Sequence, residues 1–207
     1  MTLPSLYAII DTGYTAQPID AAAMLLGAGV RLLQYRHKGA FERVHWEHCC
    51  RIAEISRASG ATFIVNDRVD IALMCGAAGV HLGQTDLPPD AARRLMDTQK
   101  LGAEKIIGYS THNEAQAREA ESLPVDYVAI GPVFATRTKE NPDPVVGLAG
   151  VSAVRRLISK PLVAIGGITR QNAASVRSAG ADSVAVVRDL LAAPDIAEAV
   201  RDFLAVL

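Results

Sequence analysis

The residues best able to do chemistry follow the ends of short apolar runs. The runs before them include VRLLQYR, TFIVND and KIIGYS. The polar residues that end such runs or come soon after them are Gln34, Arg36, Lys38, Asn66, Asp67, Asp86, Ser110, Thr136, Thr138 and Lys139. They include cations, two acids and hydroxyls, a combination that suits a phosphorylated ligand with a bound metal ion.

Two acids follow neighbouring predicted strands. Asp67 comes directly after the run TFIVN, and Asp86 lies shortly after the run VHL. Carboxylates from neighbouring strand ends are a common way to hold Mg²⁺ together with substrate phosphates. Each Asp alone could instead be a helix N-cap, and Asp67 precedes a helix predicted to start at Arg68. The pair, opposite the cations, favours the metal site.

The second predicted strand ends in the sequence Gln34-Tyr35-Arg36-His37-Lys38. Since alternate residues of a strand share a face, Gln34, Arg36 and Lys38 are expected to point the same way. Arginine offers phosphate a planar fork and lysine a point charge, which predicts an anion site. A solvated rim is the alternative, but Gln34 would lie within a barrel, where an unpaired amide is costly.

Later strand ends add hydroxyls and glycines. Ser110 or Thr111 could simply cap the following helix, and a Ser–His–acid triad is disfavoured because the Gly-x-Ser-x-Gly elbow is absent. The segment 132–147 is too long and polar for a tight turn, so we predict a mobile active-site loop in which Thr136 to Lys139 clamp phosphate. Gly166-Gly167 and the backbone after Val187 predict a second phosphate site, with a tight turn as the alternative.

These residues converge on one ligand only if the strands form a closed barrel. Strands are predicted over residues 6–11, 30–36, 62–66, 80–82, 105–109, 127–131, 162–165 and 183–187, with helix-length segments between them. The runs are almost continuously apolar, which indicates burial on both faces. We predict one (β/α)8 TIM-barrel domain over residues 1–207, in which the carboxyl ends of all strands meet at one mouth.

An open doubly wound sheet is the alternative fold. It is disfavoured because no Gly-x-Gly-x-x-Gly follows the first strand and because polar residues follow most strands rather than one switch point. The helix after the third strand is predicted to reach Ala78, with a turn at Gly79. The helix after the seventh strand is predicted to start near Thr169.

Composition limits the function classes. The chain has 207 residues, half of them hydrophobic, and a formal net charge of −1. This charge argues against binding nucleic acid or membranes through a diffuse basic field. No apolar run is long enough to span a bilayer, and the N-terminus lacks a signal-peptide pattern.

The three cysteines predict reduced thiols in a cytoplasmic protein, because the count is odd and no Cys-x-x-Cys occurs. His45, His48 and Cys49 have a helical spacing that could bind zinc. They are discounted because they lie in the middle of a predicted helix, far from the strand ends. His81 lies inside the fourth strand and is predicted to be a core or barrel-lining residue.

Over nearly its whole length the chain resembles the thiamine phosphate synthase (thiamine-phosphate pyrophosphorylase) family. The resemblance rests on the ordered motifs QYRHKG, IVNDRVDIAL, GVHLGQTDLP, GYSTH, DYVAIGPVFATRTK, VAIGGIT and GADSVAVV. It implies a barrel transferase that joins 4-amino-5-hydroxymethyl-2-methylpyrimidine diphosphate to a thiazole phosphate or its carboxylate, with loss of pyrophosphate. Mg²⁺ would be the cofactor and two phosphorylated small molecules the partners, while homo-oligomerisation stays open.

The resemblance also implies roles for individual residues. The pyrimidine diphosphate would contact Gln34, Tyr35, Arg36, His37, Lys38, Asn66, Ser110 and Lys139, of which Arg36, Lys38, Ser110 and Lys139 would be catalytic. Asp67 and Asp86 would hold Mg²⁺. The thiazole phosphate would contact Thr136, Arg137, Thr138, Gly167, Val187 and Arg188. Family members often carry a small residue where this chain has Arg188, so the role of that side chain is open although a backbone contact would survive.

The chemistry of the implied reaction agrees with this residue set. An aminopyrimidine stabilises a cation at its methylene, so the protein must mainly neutralise charge that grows on the departing diphosphate. The attacking thiazole nitrogen carries no proton, so no strong base is required. The lack of an obvious catalytic His or Cys is therefore expected.

Two other functions are open. A thiazole tautomerase of the same barrel family would need proton transfer, for which His112 could be the acid or base. It would not need the two acids and the complete Gln-x-Arg-x-Lys set. A non-catalytic barrel that binds a phosphorylated metabolite is the other alternative, and loss of Asp67, Asp86 or Lys139 would have favoured it.

Overall fold

The computed structural model describes residues 2–98, 105–136 and 143–207. The strands are β1 (Leu6–Asp11), β2 (Leu32–Arg36), β3 (Thr62–Asn66), β4 (Gly79–Leu82), β5 (Ile106–Thr111), β6 (Tyr127–Ile130), β7 (Leu162–Ile165) and β8 (Ser183–Val186). The helices are α1 (Pro18–Gly27), α2 (Arg43–Ala58), α3 (Val69–Met74), α4 (Pro89–Thr98), α5 (Glu114–Ser122), α6 (Gly147–Leu157), α7 (Ala173–Ser178), α8 (Arg188–Leu191) and α9 (Ile196–Val206).

The strands β1 to β8 form a closed parallel barrel in chain order. Each strand pairs with the next, and β8 pairs with β1, where Tyr7 lies opposite Ala185. All strands therefore end at the same mouth of the barrel. The (β/α)8 fold predicted from the alternating pattern is confirmed.

Both faces of the strands are buried, and alternate residues divide between two cores. Side chains such as Leu33 and Val65 point outward and pack in the layer beneath the helices. Side chains such as Tyr7, Ile64 and Tyr127 fill the barrel interior. This double burial explains why the strand sequences read as continuous apolar runs rather than as an apolar–polar alternation.

The predicted turn at Gly79 was wrong. The helix α3 ends at Met74, and Gly76 is the residue with left-handed backbone, at φ +72°. Gly79 instead begins β4, where a Cβ atom would lie 2.0 Å from the carbonyl oxygen of Ile106 on β5. The glycine is thus required by the close approach of a neighbouring strand.

The ends of two other elements also differ from the prediction. Strand β5 continues through Thr111, and Asn113 caps α5 with a side-chain oxygen 2.9 Å from the backbone nitrogen of Gln116. Neither Ser110 nor Thr111 is therefore a helix cap. The helix α7 begins at Ala173 rather than near Thr169. In the described ranges, no helix combines the length and the apolar character that crossing a bilayer requires.

Candidate active site

The first cation at the mouth is held by an acid from the neighbouring strand. Arg36 ends β2 and forms an ion pair with Asp11, which ends β1. The Asp11 side chain is only 7% exposed and that of Arg36 is 19% exposed. The guanidinium is therefore fixed at the rim of the barrel, with part of its surface still open. Sequence reasoning missed Asp11, although it ends the apolar run LYAIID as the other site residues end theirs.

The second cation lies beside the predicted metal ligands. Lys38 Nζ is 2.6 Å from Asp67 Oδ2. Asp67 follows β3 with φ +63°, a left-handed conformation that is uncommon for residues other than glycine. Its backbone N–H donates to the carbonyl of His81 on β4, at 2.8 Å. The backbone thus holds Asp67 in a strained conformation, a feature often found at functional sites. Asp67 does not cap α3, whose N-cap is Arg68.

The carboxylates of Asp67 and Asp86 face each other closely enough to interact. Burial raises the pKa of Asp67, the ion pair with Lys38 opposes that rise, and the neighbouring Asp86 carboxyl raises the pKa further. Asp86 is held in place by the backbone N–H of Gly83, 2.6 Å from Oδ2. Two acids from consecutive strand ends therefore converge as the sequence predicted. The described residues contain no group of three or more His, Cys, Asp or Glu arranged to hold a metal ion.

Asn66 adds an unpaired donor beside this acid pair. The residue ends β3 and is 9% exposed. Its side-chain nitrogen is buried and has no hydrogen-bond partner among the described residues. Buried amide nitrogens are rarely left without an acceptor. The site thus offers an N–H group that an oxygen-rich ligand could satisfy.

A chain of hydrogen bonds crosses the barrel interior from Gln34 to Ser110. Gln34 Nε2 donates to the Tyr7 hydroxyl at 2.7 Å, and the hydroxyls of Tyr7 and Tyr127 are 3.0 Å apart. His81 connects the other end, with Nδ1 2.9 Å from the Tyr127 hydroxyl and Nε2 2.8 Å from Ser110 Oγ. Two predicted site residues are thus joined through three interior residues. His81 lines the barrel as expected, whereas the two tyrosines read from the sequence as ordinary core residues.

The interior members of this chain are uncharged near neutral pH. Burial raises the pKa of Tyr7 and that of Tyr127 well above their usual range. Burial lowers the pKa of His81 to about 4. The chain therefore consists of neutral groups, each with a fixed number of hydrogens to donate.

Tyr35 does not belong to this cluster. It alternates with Gln34 and Arg36 on β2, so its side chain points outward into the layer beneath the helices. Its hydroxyl lies 3.1 Å from His48 Nδ1 on α2. This orientation is not compatible with a contact between the Tyr35 side chain and the pyrimidine diphosphate, so the contact that the resemblance implied for Tyr35 could come only from its backbone.

His37 is bound within the loop between β2 and α2. Its Nδ1 lies 2.8 Å from Thr12 Oγ1, and its Nε2 lies 3.1 Å from the carbonyl oxygen of Ala40. The ring stacks on His45, with 3.7 Å between centroids. These contacts make His37 a support for the loop that carries Lys38.

The glycines after β7 bring two loops together. Gly167 has φ +65°, and a Cβ atom there would lie 2.7 Å from the carbonyl oxygen of Ala135. Val187 follows β8. Because Ile165 on β7 pairs with Ala185 on β8, Val187 lies at the same edge of the barrel as Gly167. Arg188 is exposed. The second predicted phosphate site thus has its backbone elements on one rim.

Four predicted residues lie in the loop after β6. Thr136 is the last described residue before a gap in the description. Arg137, Thr138 and Lys139 lie outside the described residues, and their placement stays a prediction. On the near side of this loop, His112 Nδ1 is 2.7 Å from the carbonyl oxygen of Gly131 and 3.5 Å from Asp143 Oδ2.

Comparisons with known proteins identify the family of this chain. A family model described as thiamine monophosphate synthase matches residues 6–190. The chain belongs to this family. Thiamine-phosphate synthase of Koribacter versatilis is 50% identical over 202 residues, which cover 94% of this chain and 92% of the relative. The Pelotomaculum thermopropionicum enzyme of the same name is 47% identical over 189 residues, covering 91% and 84%.

A solved structure supports the same family at the level of fold. Thiamine phosphate pyrophosphorylase from Pyrococcus furiosus superposes with a TM-score of 0.87 at 31% identity, covering 98% of this chain and 95% of that one. The family and its barrel architecture, both expected from the motifs, are therefore confirmed.

Proposed function

We propose that this family member transfers the pyrimidinylmethyl group of 4-amino-5-hydroxymethyl-2-methylpyrimidine diphosphate to the nitrogen of a thiazole phosphate. The products are thiamine phosphate and pyrophosphate. One observation carries the assignment to these residues: the facing carboxylates of Asp67 and Asp86 lie beside Lys38 at the mouth of the barrel. That arrangement of two acids and a cation suits a diphosphate with its counter-ion.

The acid pair fits Mg²⁺. The neighbouring Asp86 carboxyl raises the pKa of Asp67, and a divalent cation between the two carboxylates would remove their repulsion. Magnesium is usually held by one or two carboxylates, with substrate phosphates and waters completing its shell, so a larger protein cluster is not needed. When bound, the ion would supply positive charge to the diphosphate leaving group.

The side chains of the rim complete the neutralisation of charge. As the carbon–oxygen bond to the diphosphate breaks, negative charge grows on the departing oxygens. Lys38 and Arg36 would place positive charge beside the departing diphosphate, and ion pairs with Asp67 and Asp11 hold the two cations at the rim. The unpaired Asn66 amide N–H would donate to a phosphate oxygen.

The thiazole phosphate is assigned to the rim after β7 and β8. The backbone at Gly167 and Val187 would hold it, together with Thr136. Arg188 is exposed on the same rim and would add positive charge. Arg137, Thr138 and Lys139 complete the proposal from the sequence alone, with Lys139 as a further cation for the diphosphate.

The test is direct. The purified chain is incubated with both substrates and Mg²⁺, the product is identified by mass, and pyrophosphate release is followed over time. We expect thiamine phosphate to form and a chelator to abolish its formation, with recovery when excess Mg²⁺ is added. Pyrophosphate release that persists undiminished in chelator would exclude the metal assignment. Isomerisation of the thiazole carboxylate phosphate alone, without product formation from both substrates, would favour the tautomerase.

A further inference from the structure

We propose that the buried chain of hydrogen bonds fixes which end of the ligand site accepts a hydrogen bond from the ligand and which end donates one. Gln34 accepts a hydrogen bond from the ligand through its carbonyl oxygen, and Ser110 donates one to the ligand through its hydroxyl. Tyr7, Tyr127 and His81 are the positioning residues that couple these two ends.

The direction of the chain starts at Gln34. Its Nε2 can only donate, so the Tyr7 oxygen is the acceptor in the 2.7 Å contact. The Tyr7 hydrogen is then free for the other neighbour, the Tyr127 hydroxyl at 3.0 Å. Both tyrosines are fully buried, so a hydroxyl hydrogen that pointed elsewhere would have no acceptor. The Tyr127 oxygen therefore accepts from Tyr7.

The same reasoning assigns the proton of His81. The Tyr127 hydrogen must be donated to His81 Nδ1 at 2.9 Å, because its oxygen already accepts from Tyr7. Neutral imidazole then carries its only N–H on Nε2, which donates to Ser110 Oγ at 2.8 Å. A second imidazole proton would leave one buried hydroxyl hydrogen without an acceptor, in agreement with the burial of His81.

The two ends of the chain are left with opposite roles. Ser110 Oγ already accepts from His81, and its own hydrogen has no acceptor among the described residues. The Gln34 carbonyl oxygen has no donor within the same ranges and is not among their fully enclosed unpaired atoms. Ser110 can therefore donate a hydrogen bond to a ligand, and Gln34 can accept one. Because four hydrogen bonds connect these two residues, neither can change its role unless all four bonds reverse.

This polarity matches an aminopyrimidine, and here the inference rests on the proposed function. The ring nitrogens of an aminopyrimidine accept hydrogen bonds, and its exocyclic amine donates them. The corresponding pyrimidinone has an exocyclic oxygen that accepts and a ring N–H that donates. Binding it would require Gln34 to flip and every hydrogen bond of the chain to reverse. The chain thus selects the amino compound over the oxo compound.

The experiment combines a spectroscopic and a kinetic measurement on the full chain. Imidazole ¹⁵N NMR of the ligand-free protein near neutral pH should show His81 as one neutral tautomer, with the proton on Nε2. Tyr127→Phe, which removes one link, should give a mixture of tautomers. The same substitution should raise KM for the aminopyrimidine diphosphate about tenfold while kcat changes by less than threefold. It should also lower the ratio of kcat/KM for this substrate to kcat/KM for the pyrimidinone diphosphate.

Thr111→Val is the matched control, because it removes a buried hydroxyl one residue from Ser110 on the outward face of β5. It should change neither the tautomer nor KM. A wild-type His81 protonated on Nδ1, or a Tyr127→Phe variant with unchanged tautomer and KM, would overturn the inference. If the wild type converts neither diphosphate, the proposed function fails, and the tautomer measurement alone decides the inference about the chain.

Discussion

Asp67 combines a proposed role in metal binding with features that cost stability. Its backbone is in the left-handed region, its carboxylate is partly buried, and a second carboxylate faces it. Each of these features costs free energy in the folded state, and Lys38 offsets only part of that cost. A group whose folded pKa is raised binds its proton more tightly when folded. The wild type should therefore lose stability as pH rises from the unfolded pKa of Asp67 through its folded pKa.

Asp67→Asn should separate the effect of Asp67 on stability from its effect on activity. The amide keeps the size of the side chain and its tolerance of left-handed backbone, but it removes the repulsion from Asp86. We expect a melting temperature at pH 7 without Mg²⁺ that is equal to or above that of the wild type. Activity should fall at least 100-fold, and Mg²⁺ should no longer raise the melting temperature. Calorimetry with and without the ion checks the stability effect, and pyrophosphate release checks the activity.

Asp70→Asn is the control for this substitution. Asp70 is an exposed acid that pairs with Arg68 on the same segment and has no carboxylate neighbour of its own in the described pairs. Its removal should leave activity and the response to Mg²⁺ unchanged. An Asp67→Asn variant that keeps wild-type turnover would remove Asp67 from the proposed metal site.

The elements that place these residues were predictable where the signal was local. The predicted bounds of β1, β3 and β7 agree with the structure, since each apolar run ends at a polar residue or a glycine pair. Gly79 was misread because its reason lies on another strand, in the backbone of Ile106. A glycine that ends a helix and one that admits a neighbouring strand look the same in one sequence.

Gly108 on β5 is also required by a residue of a neighbouring strand, here by Tyr127 in the buried chain of hydrogen bonds. A Cβ atom there would lie 2.0 Å from Cζ of the Tyr127 ring. Gly108→Ala should displace that ring and lower the free energy of unfolding by about 1–3 kcal/mol or more through overpacking. KM for the pyrimidine diphosphate should rise with it, because the link from Tyr127 to His81 would be lost. Denaturant unfolding and steady-state kinetics check the two effects.

Gly27→Ala in α1 is the matched comparison. A Cβ atom at Gly27 would meet nothing within 4 Å. The same substitution should be neutral there or stabilise the helix by up to about 1 kcal/mol. Equal unfolding free energies for the two variants would show that the interior has room for the extra methyl group and that the position of Tyr127 is not restricted by β5.

At the scale of the whole molecule, closure of the barrel decides which residues meet. Strand parity alone places Gln34 and Arg36 on the interior side of β2 and Tyr35 on the outer side. The resemblance nevertheless grouped Tyr35 with its neighbours, because a motif records neighbours in sequence and not the face of a strand. Parity could not predict that Tyr7 meets Tyr127, 120 residues away, because that contact depends on the stagger of the closed sheet. The acid pair was predictable because its members follow the ends of adjacent strands.

The buried His81 also gives the whole molecule a measurable response to pH. Burial holds its folded pKa at about 4, whereas an exposed histidine has a pKa of about 6.5. Between these values the unfolded chain binds a proton that the folded barrel excludes. The free energy of unfolding should therefore rise with pH from about 4 to 6.5, by up to about 3 kcal/mol from this residue. His81→Gln should flatten that rise, whereas His45→Gln should change it less because the His45 ring is only partly buried. Urea unfolding at several pH values measures the slopes, and identical slopes for the wild type and His81→Gln would show that folding does not lower the pKa of His81.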